Sequence, residues 1–258
     1  MKRAVLLSIS FFAAAAALMA QTSSGHPDLS GTWLFSIDLP PVALKRSTNG
    51  ATTIKTIDAS GRRPAAEKVA GAMPFSDAPV YKPEFRAKVK DLFDHESKTD
   101  PVFYCDRPGV PRIGPPRRII QLPNEFVFLY EDISGDPYRL VPVGGSHKKD
   151  GNPSYYGDSI ARWEGNTLVV DVVNFVDSTW FGEDGYFHSD AMHVTERFWR
   201  SGANLVYQAT VSDPKVLAAP WTMAPRVVKP STEALEESPK CTEADSKLLV
   251  NDDHHGQR

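Results

Sequence analysis

The second half of the chain is dominated by short segments in which apolar and polar residues alternate. Turn-forming residues such as Gly165-Asn166 and the 201–204 run separate these segments. A period of two, with many β-branched and aromatic residues, predicts β-strands joined by tight turns. The predicted strands cover residues 29–37, 117–122, 125–132, 138–143, 158–164, 167–175, 191–200, 205–213 and 220–228.

This succession of strands predicts an all-β, antiparallel fold. The preferred architecture is a lipocalin-like (calycin-type) barrel of about eight or nine strands, and a β-sandwich is the alternative. One segment has a helical period instead: Phe85, Val89 and Leu92 follow Pro83, which predicts one packed helix over 83–95. We expect a single domain over 21–250 with an irregular stretch over 40–80, and a disordered tail over 251–258.

Tight turns fix the register of two predicted hairpins, because side chains on a strand alternate between the two faces of the sheet. In the hairpin around Gly165-Asn166, Trp163 and Leu168 fall opposite each other on an apolar face. On the other face Arg162 and Asp171 are diagonal neighbours, close enough for an ion pair. The pair would account for a charge in a valine-rich strand.

The hairpin over 191–213 places Glu196 as the only charge on an apolar face, which Tyr207 shares. His193 lies on the opposite face, so the two residues cannot bind one metal ion together. A carboxylate on an apolar face needs a partner. Glu196 is therefore either an interior glutamate paired with an arginine or a tyrosine, or a carboxylate that meets a ligand or transfers protons.

The hairpin over 117–131 is ambiguous, because both of its faces are apolar. One face carries Arg118 near Glu131, as a structural pair or as the lining of a cavity. The alternation of residues does not decide which face is interior.

The N-terminal segment predicts export. Lys2 and Arg3 precede an apolar run that ends at Ala20, which is typical of a signal peptide over 1–20, and a retained anchor is the alternative. In a periplasmic or secreted protein, the pair Cys105 and Cys241 favours a disulfide. We expect no membrane association after cleavage of the signal.

Charge and motifs exclude several classes of function. The net charge is −3 with the signs interspersed, so no basic stripe is present and nucleic acid is not an expected partner. The chain contains no glycine-rich phosphate loop, no zinc-protease motif and no nucleophile elbow. We expect neither a metal site nor a cofactor.

Three phrases, "WEGNTLVVDVVNF", "HSDAMHVTERF" and "TVSDPKVLAAPWT", resemble a group of secreted proteins of soil bacteria that is abundant in acidobacteria. A cysteine before an acidic, histidine-containing tail continues the likeness, from Cys241 onward. The resemblance covers most of residues 100–250 and implies little about activity. Separately, "LSGTW" is similar to the opening strand of lipocalin-like barrels, whose Gly-x-Trp signature reads Gly31-Thr32-Trp33 here.

These features predict an exported protein that binds a small apolar or mixed-polarity molecule. Glu196, Tyr207 and Trp163 would line the cavity, with His188 and Trp180 near its mouth. The alternative is a secreted lyase, isomerase or hydrolase that uses Glu196 and His188 as acid–base partners. A third possibility is a cell-surface interaction module. Ligand identity, the occurrence of any reaction and the oligomeric state lie beyond the sequence.

Overall fold

The structure is a computed structural model that describes residues 25–34, 44–48, 51–55, 69–132, 134–238 and 241–242. The predicted signal peptide over 1–20 and the predicted disordered tail over 251–258 lie outside the described residues. Parts of the 40–80 stretch lie outside them as well.

Antiparallel β-strands make up most of the regular secondary structure in the described chain, as the sequence predicts. Two short helices and two 3₁₀ turns (Pro83–Phe85 and Pro101–Tyr104) lie between the third and fourth strands. The elements are β1 (Gly31–Thr32), β2 (Leu44–Thr48), β3 (Ala51–Lys55), α1 (Arg86–Asp94), α2 (Glu96–Thr99), β4 (Arg118–Gln121), β5 (Glu125–Leu129), β6 (Tyr138–Pro142), β7 (Asp158–Glu164), β8 (Thr167–Val173), β9 (His193–Ser201), β10 (Asn204–Ser212), β11 (Trp221–Thr222) and β12 (Arg226–Val228).

The strands form two main sheets. A four-stranded sheet has the order β1-β4-β5-β6, and a six-stranded sheet has the order β11-β10-β9-β8-β7, with β12 also paired to β10. Both predicted hairpin registers are confirmed: Trp163 lies opposite Leu168, and Glu196 lies opposite Ala209. Short turns leave few ways to pair neighbouring strands, and the apolar face then selects one of them.

The two sheets face each other across one shared core. Phe128 of β5 and Phe198 of β9 have ring centroids 5.1 Å apart, and Phe126 packs edge-on against Trp163 at 5.9 Å. The ladders of the described strands do not close into a barrel. Among the described residues, backbone pairing between the two sheets is limited to isolated β-bridges, Val143 to Ala161 at one edge and Trp33 to Pro230 at the other. The layered arrangement corresponds to the β-sandwich alternative more closely than to a barrel.

The structure decides which face of the 117–131 hairpin is interior. Ile119, Phe126 and Phe128 are buried, whereas Ile120 and Leu122 are exposed. Aromatic side chains fill the wide space between the sheets and bury more apolar area than the aliphatic side chains of the other face.

The predicted proximity of Arg118 and Glu131 is replaced by a different ion pair. Arg118 lies on the exposed face and donates to Thr32 Oγ1 at 3.1 Å. Arg117 is on the interior side, and its Nε donates to Glu131 Oε2 at 2.6 Å. The prediction was wrong by one residue, because alternation within the hairpin placed Arg118 beside Glu131, whereas the Glu131 carboxylate is bound by Arg117, which precedes β4.

The stretch over 40–80 is not wholly irregular, since β2 and β3 pair with each other there. The dipeptide Asn49-Gly50 stands between these two threonine-containing segments in the sequence. It is a strong hairpin signal, which the sequence prediction overlooked. Two other predicted strands are shorter than expected: the strand over 29–37 is described only as Gly31–Thr32, and that over 220–228 is divided into β11 and β12.

The predicted helix is present as the turn Pro83–Phe85 followed by α1. It packs against the loop that connects β8 to β9. Gly185 of that loop has φ +77°, and a Cβ atom there would lie 2.9 Å from Leu92 Cβ, Val89 O and Phe93 N. Only glycine permits both this backbone conformation and this close approach. Within the described ranges, no helix has the length and hydropathy of a membrane span.

The predicted disulfide is confirmed: Cys105 is bonded to Cys241, 136 residues later in the chain. The segment before Cys241 is also fixed by hydrogen bonds. Ser238 N donates to Asp136 Oδ2 at 2.9 Å, and Glu236 N donates to Glu131 Oε1 at 2.8 Å. The bond therefore closes almost the whole β structure into one covalent loop.

We expect that replacing both Cys105 and Cys241 with serine lowers the free energy of unfolding. The chain-entropy relation for so long a loop gives about 4 to 5 kcal/mol as an upper value. Urea unfolding followed by tryptophan fluorescence measures the change, and wild type under reducing conditions should match the double variant. Equal unfolding midpoints for oxidised wild type and the variant would contradict a stabilising role.

Candidate functional site

Glu196 is fully buried and bound to a charged partner. Its Oε2 atom accepts a hydrogen bond from Arg139 NH2 at 2.6 Å, and its Oε1 atom accepts one from the Tyr207 hydroxyl at 3.1 Å. Glu196 comes from β9 and Arg139 from β6, so the ion pair joins the two sheets. The alternation of apolar and polar residues along β9 predicts that Glu196 points inward. No feature of the β9 sequence predicts that Arg139 is its partner.

Arg139 is held by further polar groups. Its NH2 atom donates to Ser159 Oγ at 2.8 Å, its NH1 atom donates to the Tyr130 hydroxyl at 3.1 Å, and the guanidinium lies 5.7 Å from the centre of the Phe128 ring. We call Arg139, Glu196, Tyr130, Ser159 and Tyr207 the core network.

The core network consists of an ionised pair and neutral hydroxyls. Burial alone would lower the pKa of Arg139, but the Glu196 carboxylate raises it well above its ordinary value. Burial raises the pKa of Tyr207, and the Glu196 charge raises it further. At neutral pH the guanidinium is therefore charged and the phenol is protonated.

The residues expected to line one cavity lie in different places. Glu196 and Tyr207 belong to the core network. Trp163 is half-buried at the edge of the core, where its ring stacks on His26 with centroids 4.5 Å apart. His188 and Trp180 are buried in the loop between β8 and β9 and border a surface cleft.

His188 has defined partners within that loop. Its Nδ1 atom is 2.9 Å from the Ser189 carbonyl oxygen, and its Nε2 atom is 2.8 Å from Thr179 Oγ1. Burial lowers the pKa of His188, against the smaller opposing effects of the Ser189 carbonyl and the nearby carboxylates of Asp213 and Asp177. No hydrogen bond joins His188 to Glu196, whose carboxylate is bound by Arg139 and Tyr207.

The surface cleft, which we call the helix cleft, has a volume of about 440 Å³. One face of the helical segment, the 177–189 loop and the turn after β10 form its walls. Its lining residues are Phe85, Lys88, Leu92, Asp177, Thr179, Trp180, Phe187, His188, Ser189, Lys215 and Val216. A more open cleft of about 480 Å³ lies against the neighbouring face of the helical segment, where Arg86, Val89 and Phe93 line it.

The helix cleft combines an apolar surface with charged groups at its border. Lys88 Nζ lies 3.8 Å from the centre of the Phe187 ring, a cation–π contact. Lys215 forms an exposed ion pair with Asp190 at 2.5 Å. Asp177 is exposed and, within the described part of the chain, has no ion-pair partner.

Most residues of the helix cleft were missed by the sequence prediction. Phe85, Lys88 and Leu92 are spaced three and four apart, so they share one helical face, and this spacing is a usable signal. Thr179 and Phe187 lie in a loop without periodicity, where the sequence offers no comparable signal. Their placement depends on tertiary packing.

A second polar cluster lies on the outer face of the six-stranded sheet, where the predicted Arg162–Asp171 ion pair is replaced. Asp171 Oδ2 is 2.8 Å from His147 Nε2, and Asp171 Oδ1 is 2.5 Å from His193 Nε2. Arg162 instead donates to Glu164 of its own strand. The prediction considered only neighbours within one hairpin, whereas His147 comes from a distant loop.

The pKa of Asp171 reflects these contacts. Burial pushes the pKa upward, but hydrogen bonds from His147 and His193 hold it below the ordinary value. Within the described residues, no group of three histidine, cysteine, aspartate or glutamate side chains has the arrangement of a metal site. We interpret the cluster as a structural network, because hydrogen bonds to Asp171 join the loop of His147 to β8 and β9.

No family model, no curated protein and no solved structure is significantly similar to this chain.

We expect Glu196→Gln to lower the free energy of unfolding by about 3 kcal/mol or more, because it leaves the Arg139 charge buried without a counter-charge. The double variant Glu196→Gln/Arg139→Met should lose much less than the sum of the single losses, since no charge remains buried. Chemical unfolding of the four proteins gives the coupling energy. Strictly additive losses would refute the pairing.

We expect the stability contributed by Asp171 to decrease in acid. Because its pKa is lowered in the folded state, the carboxylate stabilises the fold above its ordinary pKa of 3.8, and this contribution disappears as pH falls below that value. The stability difference between wild type and Asp171→Asn should therefore shrink between about pH 5 and pH 3. Thermal unfolding of both proteins across this pH range tests the prediction. A stability difference that stays constant with pH would contradict it.

Proposed function

We propose that this protein is an exported small-molecule-binding protein and that the helix cleft is its binding site. The observation that carries the proposal is a cleft of about 440 Å³ in which apolar walls meet charged groups. Its volume lies within the range of about 300 to 1,000 Å³ that is typical of small-molecule sites. Apolar walls supply affinity, and a few polar groups fix the orientation of a ligand.

The lining favours a ligand of mixed polarity. Phe85, Leu92 and Phe187 offer aromatic and aliphatic surface to a flat apolar body. Lys88 and Asp177 can each bind an ionised group, since neither has an ion-pair partner among the described residues. A small aromatic or alicyclic molecule with one ionised substituent fits this combination of surfaces.

The proposed site is not the cavity expected from the sequence. Of the five expected ligand contacts, His188 and Trp180 line the helix cleft, while Glu196 and Tyr207 satisfy each other and Arg139 in the core. Neither of the two clefts described above is lined by Glu196, Tyr207 or Trp163. These contacts favour ligand binding at the surface loop over binding between the sheets.

The acid–base alternative loses support on the same grounds. Both carboxylate oxygens of Glu196 are hydrogen-bonded to buried partners, Arg139 and Tyr207, and Glu196 itself is fully buried, so the carboxylate is not open to a substrate. His188 contacts Thr179 and Ser189 instead. A Glu196–His188 enzyme is therefore the weaker hypothesis.

The proposal also includes export of the protein, which the disulfide supports. The Cys105–Cys241 disulfide supports an oxidising compartment, periplasmic or extracellular. Trp33 of the Gly-x-Trp motif is buried beneath the Arg200 guanidinium, 4.7 Å from the ring centre. Kinship with lipocalins stays a prediction, and so does kinship with the secreted proteins of soil bacteria.

Binding of 8-anilinonaphthalene-1-sulfonate, an aromatic anion, tests the proposed site. We expect one molecule to bind per chain, as measured by isothermal titration calorimetry. Leu92→Trp should fill the cleft and weaken binding by about tenfold or more, equivalent to about 1.4 kcal/mol. The matched control is Leu122→Trp, because Leu122 is 44 % exposed on a distant hairpin.

Equal affinities for Leu92→Trp and wild type would refute the site. Native mass spectrometry of protein recovered from an exporting host complements the titration. A small molecule that co-purifies with wild type and with Leu122→Trp, but not with Leu92→Trp, would identify the natural ligand class.

A further inference from the structure

The contacts of His188 define the position of its proton. A carbonyl oxygen only accepts hydrogen bonds, so the Nδ1 atom, 2.9 Å from Ser189 O, carries the hydrogen. Burial keeps the ring neutral at pH 7 by lowering its pKa. Nε2 is therefore an acceptor. The Thr179 hydroxyl donates to it at 2.8 Å rather than to the Val176 carbonyl oxygen, which lies farther away at 3.5 Å.

A chain of hydrogen bonds holds His188 in this orientation. Asp213, 2 % exposed, accepts from Ser189 N at 2.7 Å and from Ser189 Oγ at 2.9 Å. It also accepts from Lys215 N at 3.0 Å, which fixes the turn after β10. Asp213 and Ser189 thus act as positioning residues: they fix the carbonyl that orients the imidazole.

We infer that Thr179 is a nucleophile activated by His188, and that the helix cleft transfers acyl groups from small esters. Serine and threonine nucleophiles are activated by a hydrogen bond from their hydroxyl to a neutral imidazole, when a third group fixes the other nitrogen of the ring. The inference rests on the proposed function, because it uses the same cleft, and it extends that function from binding to chemistry.

The proposed reaction balances without a cofactor. Thr179 Oγ1 attacks the ester carbonyl carbon while its proton moves to His188 Nε2. The bond between the carbonyl carbon and the ester oxygen then breaks, and the alcohol leaves with the proton from Nε2. Water next gives a proton to Nε2 and attacks the acyl carbon, and His188 returns that proton to Thr179 as the carboxylic acid departs.

The ammonium group of Lys88 can stabilise the negative charge that develops on the carbonyl oxygen. Lys88 lines the cleft with Thr179 and has no ion-pair partner among the described residues, whereas Lys215 is paired with Asp190. A cation at a developing oxyanion lowers the barrier of acyl transfer. The apolar residues Phe187 and Leu92 would hold the acyl or alcohol part. Small, uncharged or anionic aryl esters are the expected substrate class.

The test uses 4-nitrophenyl acetate as the probe. We expect wild type to release 4-nitrophenolate and to retain an acetyl group on Thr179, located by peptide mapping. Thr179→Val, nearly isosteric, should lose the acetyl group at position 179, whereas Thr179→Ser should keep it. His188→Gln should slow acylation by about a hundredfold or more, the effect of removing a general base.

Controls separate this reaction from unspecific acetylation and from misfolding. Thr195→Val removes a hydroxyl of β9 outside the cleft, and this variant should be acetylated at Thr179 to the same extent as wild type. Acetylation of lysines alone, or equal labelling of position 179 in wild type and in His188→Gln, would overturn the inference. If Thr179→Val still binds 8-anilinonaphthalene-1-sulfonate, the variant is folded and the binding proposal survives even where the acyl-transfer inference fails.

Discussion

The ion pair between Arg139 and Glu196 is the constraint on which the arrangement of the two sheets depends. Two opposite charges removed from water must meet with good geometry, because an unpaired charge in the core costs several kcal/mol. One charge belongs to each sheet, so pairing fixes how β6 lies over β9. Apolar packing such as that of Phe128 on Phe198 tolerates small slips, whereas the 2.6 Å ion pair does not.

Sequence reasoning succeeded where the determining interactions are local. The turns at Gly165-Asn166 and after Ser201 allow few registers, so the strand pairings and the inward direction of Glu196 followed from alternation. It failed for partners that are distant in the chain. Arg139 is 57 residues from Glu196, and His147 is 24 residues from Asp171. Alternation says which face a side chain occupies, but not which sheet or loop covers that face.

The candidate site was only half predictable for the same reason. We expected His188 and Trp180 at the mouth of a cavity between the sheets, whereas both line a cleft against α1. The periodicity of Phe85 and Leu92 predicts the helix but not its partner. The close approach of Gly185 to Leu92, which sets one wall, depends on a glycine conformation that sequence pattern alone does not reveal.

The separation of the two polar systems is the reason why we place the proposed site on the loop and not in the core. In the core network the charges are fully paired, and that network holds the sheets together, so any ligand that engaged Glu196 would have to break a structural pair. Along the helix cleft, Lys88 and Asp177 have no ion-pair partner among the described residues, and Nε2 of His188 is bonded to the hydroxyl of Thr179. A rigid β scaffold that carries reactive groups on its loops can bind and react without loss of its own stability.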